Sequence, residues 1–223
     1  MNLECINVAN NGALLYGIFK SDKIVQVLDR ETESYLLVIN DHIKPDGKVD
    51  IYYLLADAQF GSVYSAILPN SIYKCRMKIA DSPRFNEASA ITIYNSIDTA
   101  FDRLTYKLDK LRNIEVDVSK TQAIIDELFP LIRVDGEVLD NKSNENIMNQ
   151  QDTYRNCLDN DALDDVRNTG YQMYMAMIDY TQHHFKSSSS AYDINKKMTI
   201  LPGFGSSIDA EGAKVSKLLK LLK

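Results

Sequence analysis

Tryptophan is absent from this chain, histidine occurs three times and cysteine three times. The three cysteines, Cys5, Cys75 and Cys157, are odd in number and far apart. A disulfide framework or a cysteine-based zinc cluster is therefore not expected, and the usage suits a reducing compartment. No apolar run approaches the ~18 residues that a membrane-spanning helix needs. The opening MNLECINVANNG has no basic stretch followed by an apolar one, so no secretion signal is expected. Phosphate-binding G-x-x-x-x-G-K-[ST], dinucleotide-binding G-x-G-x-x-G and hydrolase G-x-S-x-G patterns are all missing. No catalytic residue and no cofactor is expected, and an enzyme is disfavoured.

The totals leave room for a folded domain. Of 223 residues, 45% are hydrophobic and 25% charged, which is close to globular averages and argues against disorder throughout. The net charge of −6 is unevenly spread. Residues 113–185 hold 14 acidic against 5 basic side chains, whereas residues 74–112 hold 8 basic against 5 acidic. Residues 186–223 are also basic. Such bipolarity suits either an anionic ligand on the basic side or a basic partner on the acidic one.

The first third reads as strands. ALLYGIF (13–19), KIVQVLD (23–29), SYLLVIN (34–40) and VDIYYLL (49–55) are rich in β-branched, aromatic and leucine residues, with polar breaks between them. KPDGK (44–48) predicts a turn. FGSVYSAILP (60–69) predicts a short helix ended by Pro69. SIYKCRMKI (71–79) alternates as a strand, with Lys74, Arg76 and Lys78 on one face and Cys75 and Met77 on the other.

The remainder reads as helices. Ile91, Tyr94, Ile97, Phe101, Leu104, Leu108 and Leu111 form one apolar stripe. SKTQAIIDELFP has the form of a capping box, with Ser119 as cap, Gln122 three residues on and Pro130 as the stop. Residues 134–146 read as a polar linker turning at Gly136, followed by a helix capped by Ser143. NTGYQMYMAMIDYTQHHF (168–185) reads as a helix capped by Asn168 or Thr169. It is apolar nearly all round and so is expected to be buried. A last helix, capped by Asp209, turns Val215, Leu218, Leu219 and Leu222 inward and Lys214, Lys217 and Lys220 outward. The expected class is α+β: an antiparallel β-rich part over residues 1–86, packed against a helical part over residues 87–223.

The C-terminal block resembles that of an uncharacterised phage- and plasmid-borne protein family. Thr169, Tyr180, His183 or His184, Phe204, Gly205, Ser206 and Lys214 match its points. IYNSIDTAFDRLTYKLDKL and SKTQAIIDELFP are similar to its long helix and Leu–Phe–Pro helix end. SYLLVINDHIKPDG is similar to its early strand and turn. The family's Arg–His–Thr motif has no histidine at the nearest stretch, CRMKIADSPRFNE. The resemblance implies a mobile-element origin in a host cytoplasm and brings no agreed activity. Its order of sheet before long helices is similar to that of phage single-strand annealing proteins.

Metal binding is not expected. His183 and His184 are adjacent, and adjacent positions point about 100° apart on an α-helix. They are instead expected to meet the helix C-terminus, where positive charge is favoured. DNDALDDVR (159–167) fails the EF-hand calcium pattern and reads as a solvated turn. Basic residues near aromatic ones are what single-stranded nucleic acid binding uses. The candidates are Lys74, Arg76, Lys78 and Arg84, beside Tyr73 and Phe85, and a second group of Lys196, Lys197, Lys214 and Lys217. The function this favours is non-catalytic nucleic acid binding, single-stranded and oligomeric. The alternative is a module that docks on or inhibits a host enzyme or defence complex through residues 113–185.

Overall fold

A computed structural model describes residues 3–10, 14–41, 48–57, 63–64, 74–78, 105–184 and 206–223. The class is α+β, with an antiparallel sheet first and helices C-terminal to it. The chain divides into two compact units, residues 1–107 and 108–223. The boundary expected at 86/87 lies outside the described residues.

The sheet of the first unit is an antiparallel meander. β1 (Leu3–Asn10), β2 (Leu14–Val27), β3 (Arg30–Asp41) and β4 (Lys48–Asp57) pair in sequence order. β5 (Val63–Tyr64) and β6 (Lys74–Lys78) both pair with β4, at Leu55–Ala56 and at Lys48–Tyr52 respectively. The stretches at 13–19 and 23–29 are one strand rather than two. The polar Ser21–Asp22 break becomes a register irregularity between Lys20 and Ile24, inside β2. The hairpin turn is instead Leu28–Asp29, with Leu28 at φ 57°. Val63–Tyr64 is strand, not helix, because the β4 edge offers it backbone partners. The turn at 44–47 lies outside the described residues.

Register sorts the sheet residues into two faces, since a one-residue step changes face. One face carries Val8, Gly17, Val38, Ile51 and Cys75 in a single cross-strand row. The other carries Tyr16, Ile39, Asp50 and Arg76 in one row and Ile18, Leu37, Tyr52 and Lys74 in the next. The first row is apolar along its length, and both rows of the second face end in a cation.

The helical unit centres on α4. Residues 105–112 form the described part of a helix, α1, that buries Leu108 and Leu111; residues 91–104 lie outside the described set. α2 (Val118–Leu128) is capped by Asp117, not Ser119. The Asp117 carboxylate accepts from the Lys120 N–H at 2.7 Å and from the Ser119 hydroxyl at 2.8 Å, which holds its pKa below the usual range. An ionised acceptor makes the stronger bond to a helix N-terminus, so Ser119 serves the cap instead of being it.

The expected linker contains a small hairpin, β7 (Arg133–Val134) and β8 (Glu137–Val138). Its turn is Asp135 (φ 51°) and Gly136 (φ 87°), the Asp-Gly pair that such two-residue turns favour. α3 (Lys142–Leu158) is capped by Asn141, not Ser143. Asn144 is buried at the hairpin base. Its amide N–H groups donate to the carbonyls of Ile132 and Leu139, and its oxygen accepts from the Ile132 N–H.

α4 (Gly170–Asp179) is capped by Thr169 and follows a 3-10 turn, Asp161–Val166. Tyr171 and every residue from Met173 to Ile178 are buried, as the all-round apolar pattern predicted. α3, the 3-10 turn and the last helix, α5 (Ser206–Leu221), pack on it. Gly170 is needed for close approach. A Cβ there would stand 3.0 Å from the Leu111 carbonyl oxygen and 3.3 Å from Ile114 Cβ. α5 buries Val215 and Leu218, Leu222 just beyond it is buried too, and Leu219 is half-buried. Asp209 lies inside α5 rather than capping it.

Candidate functional site

The basic strand β6 is short, KCRMK, and alternates charge with apolar residues. Lys74, Arg76 and Lys78 therefore share a face, as expected, and Cys75 and Met77 share the other. On β4 their register partners are Tyr52, Asp50 and Lys48 in turn. Register thus sets Arg76 against the acidic position 50 and Lys78 against the basic position 48. An aromatic position, Tyr52, sits one step along the same face, opposite Lys74.

Elsewhere on that face the cation is already matched. Lys20 Nζ lies 2.5 Å from Glu33 Oε1, and the Tyr35 hydroxyl donates to Glu33 Oε2. These two donors hold the Glu33 carboxyl below its usual range. Burial, with Glu33 second, pushes the Tyr35 phenol up to about 12.

The second basic group behaves differently from expectation. Lys214 does not turn outward. It is half-buried, with Nζ 3.9 Å above the Phe129 ring and 6.0 Å from the Tyr180 ring. Burial, and then the charge of Lys217, pushes its pKa down to about 8. Lys217 donates to the Glu127 carbonyl and lies 3.8 Å from that residue's carboxylate. Both lysines are thus engaged inside the helical unit, in which their helix packs on α2 and α4. Lys220 is exposed. Arg84, Lys196 and Lys197 lie outside the described residues, as do Tyr73 and Phe85.

One constellation has no counterpart in the sequence reading. Cys157 near the end of α3, Asp179 at the end of α4 and His184 offer a sulfur, a carboxylate oxygen and a ring nitrogen, all within 4.8 Å of one another. Cys157 is buried, the Asp179 side chain is 13% exposed and His184 is exposed. The cause is local. Beyond Asp179 the helix widens into a π turn, Tyr180–His184. On an α-helix a residue five positions on lies about 140° round the axis. A π turn closes i to i+5, which returns His184 to the side of Asp179. The Thr181 hydroxyl donates to the carbonyls of Met177 and Ile178 at the start of this turn. Such back-bonding bends a helix away from regular geometry.

Aromatic packing adjoins the π turn. Tyr180 stacks edge-on to Phe129 (5.4 Å, 78°) and to Tyr154 (6.2 Å, 81°). The Tyr154 hydroxyl donates to the Met173 carbonyl at 2.8 Å. Burial, followed by the charge of and hydrogen bond to Asp179, raises the Cys157 thiol to about 12. A thiol so held is a poor nucleophile, because the thiolate is the reactive form. His183 Nε2 stands 4.0 Å from Asp179 Oδ1.

A separate groove of about 260 Å³ runs between α2 and α3, lined by Val118, Gln122, Arg155, Asp159, Asn168 and Gln172 among others. Arg155 there is bound to Asp152 at 2.6 Å and to Gln122 at 3.2 Å. No helix among the described residues is long and apolar enough to cross a membrane. No protein-family model, curated protein or solved structure matches the chain.

Proposed function

We propose that the chain is a non-catalytic protein of mobile-element origin that binds nucleic acid, single-stranded, as an oligomer in the host cytoplasm. The charged face of β6 and β4 is the contact surface. The observation that carries this reading is the register of β6. It sets Lys78 opposite Lys48 and Lys74 opposite Tyr52. That register groups basic positions with an aromatic one on one face, the composition that single-strand binders use. With a net charge of −6, the whole chain repels a polyanion. Affinity then depends on gathering several such faces along one strand, which is the reason for an oligomer.

The test is fluorescence anisotropy of a labelled single-stranded oligonucleotide across a salt series. Binding is expected to weaken with salt, with a slope of about −0.7 per phosphate contact. The triple substitution Lys74→Glu, Arg76→Glu, Lys78→Glu is expected to reduce both affinity and slope. Absence of binding at low salt rejects the reading.

The alternative, a module that docks on or inhibits a host enzyme or defence complex, is favoured by the β7–β8 hairpin. Val134 and Val138 are 52% and 42% exposed there, set between Asp135, Glu137 and Asp140 in the acidic segment 113–185. A host protein captured by the wild type and lost by Val134→Glu with Val138→Glu supports it. Retention by that variant removes it.

A further inference from the structure

We propose that Cys157, Asp179 and His184 form a binding site for a divalent transition-metal ion of the zinc class. Zinc takes Cys sulfur at ~2.3 Å and His nitrogen or carboxylate oxygen at ~2.0–2.2 Å in tetrahedral array, which sets neighbouring donor atoms roughly 3.3–3.6 Å apart. All three donor atoms here already lie within 4.8 Å of one another. The π turn brings position 184 to the side of position 179, and the His184 side chain is exposed.

The donor types decide the class of ion. A thiolate and an imidazole select zinc, cobalt or nickel over magnesium and calcium, which demand oxygen. Charge also closes. A thiolate and a carboxylate together carry −2, and a divalent ion neutralises both at a site where Cys157 is buried. Binding breaks the Cys157 S–H bond, forms a metal–sulfur bond and releases one proton to solvent. Three protein donors leave a fourth tetrahedral position, and the exposure of His184 brings it to water. Without the ion, the Cys157 thiol hydrogen-bonds to Asp179. The experiment must therefore separate a metal site from a purely structural thiol–carboxylate contact.

The full chain is stripped with a chelator and titrated with Co²⁺, which reports a tetrahedral sulfur ligand through a sulfur-to-cobalt charge-transfer band. One equivalent of Co²⁺ is expected to develop the band, and Zn²⁺ to bleach it. Cys157→Ser should abolish the band. His184→Gln changes an exposed side chain and so keeps the fold, and it should weaken affinity at least ~tenfold, the scale of losing a ligand or its support. His183→Gln should leave the band in place. If no band forms with the wild type, or if affinity is unchanged in His184→Gln, the three residues are a structural contact and the proposal is overturned. Circular dichroism of each variant shows that a lost band is not a lost fold.

Discussion

In the sheet unit the charged residues of interest come from five consecutive positions of one strand, Lys74–Lys78. In the helical unit the donor set comes from Cys157, Asp179 and His184, on two helices and a π turn. The first arrangement depends on backbone register alone. The second depends on side-chain brackets that hold irregular backbone in place: Asn144 under a hairpin, Tyr154 against α4, Thr181 at the π turn. The lesson is that the same chain places one set of functional groups by pattern and another by packing. Damage to packing should therefore disturb the helical unit through single side chains.

The largest effect is expected from Tyr154→Ala. Tyr154 is fully buried, bonds the Met173 carbonyl and packs on Phe129 and Tyr180. Truncating a buried ring costs about 3–5 kcal/mol. Denaturant titration should show that loss, and hydrogen exchange should show lost amide protection across α3 and α4. A cost under about 0.5 kcal/mol, the range of an ordinary surface change, would remove Tyr154 from the bracket.

Asn144→Leu comes next. It keeps the volume but leaves the Ile132 N–H and the Leu139 carbonyl without their side-chain partner. Orphaning buried backbone groups costs about 1–3 kcal/mol each, less here because the site is part-exposed. The expected loss is about 2 kcal/mol, on the same scale, with the hairpin amides exchanging faster than those of α4.

Gly170→Ala tests the close approach at the start of α4. The added methyl meets the Leu111 carbonyl oxygen at 3.0 Å, a backbone atom that cannot swing away. Overpacking of this kind costs about 1–3 kcal/mol. An unchanged melting temperature would show that the Leu111–Ile114 backbone shifts freely.

The smallest effect concerns pH. Lys214 has a folded pKa of about 8 against an ordinary 10.5. Between those values the unfolded chain holds a proton that the folded chain has released, so unfolding free energy rises with pH across that window. Below about pH 8 the penalty for burying the charge is fully present, offset in part by the Phe129 ring face. Thermal melts from pH 8 to 10.5 should rise more in the wild type than in Lys214→Met. Equal slopes would place the Lys214 ammonium in solvent.

Much of the fold was legible in the sequence. Period-two alternation gave β6 and its two faces, and β-branched, aromatic and leucine content gave β3 and β4. The all-round apolar pattern gave the burial of α4. The caps were misplaced because Ser119 and Ser143 compete with Asp117 and Asn141 two residues earlier, and a pattern does not show which oxygen reaches the free N–H groups. Lys214 was misplaced for a related reason. A lysine on a helix reads as solvated unless a ring such as Phe129 is known to lie over it. The Cys157–Asp179–His184 cluster was invisible. A search at i, i+4 assumes regular helix, and the donors here meet only after a π turn. Its one trace in the sequence is the His-His pair following Asp179 and Thr181, a helix end with back-bonding capacity.

The central functional claim rests on β6, and the most direct measurement is the salt dependence of single-stranded DNA binding by the wild type and by Lys78→Glu alone. Lys78→Glu removes a cation and sets an acidic residue in register with Lys48, and opposite charges in register stabilise a cross-strand pair by roughly 0.2–1 kcal/mol. The account predicts a variant at least as stable as the wild type in denaturant, with weaker DNA binding and a shallower salt slope. A variant of equal stability that binds with unchanged affinity and slope would contradict it.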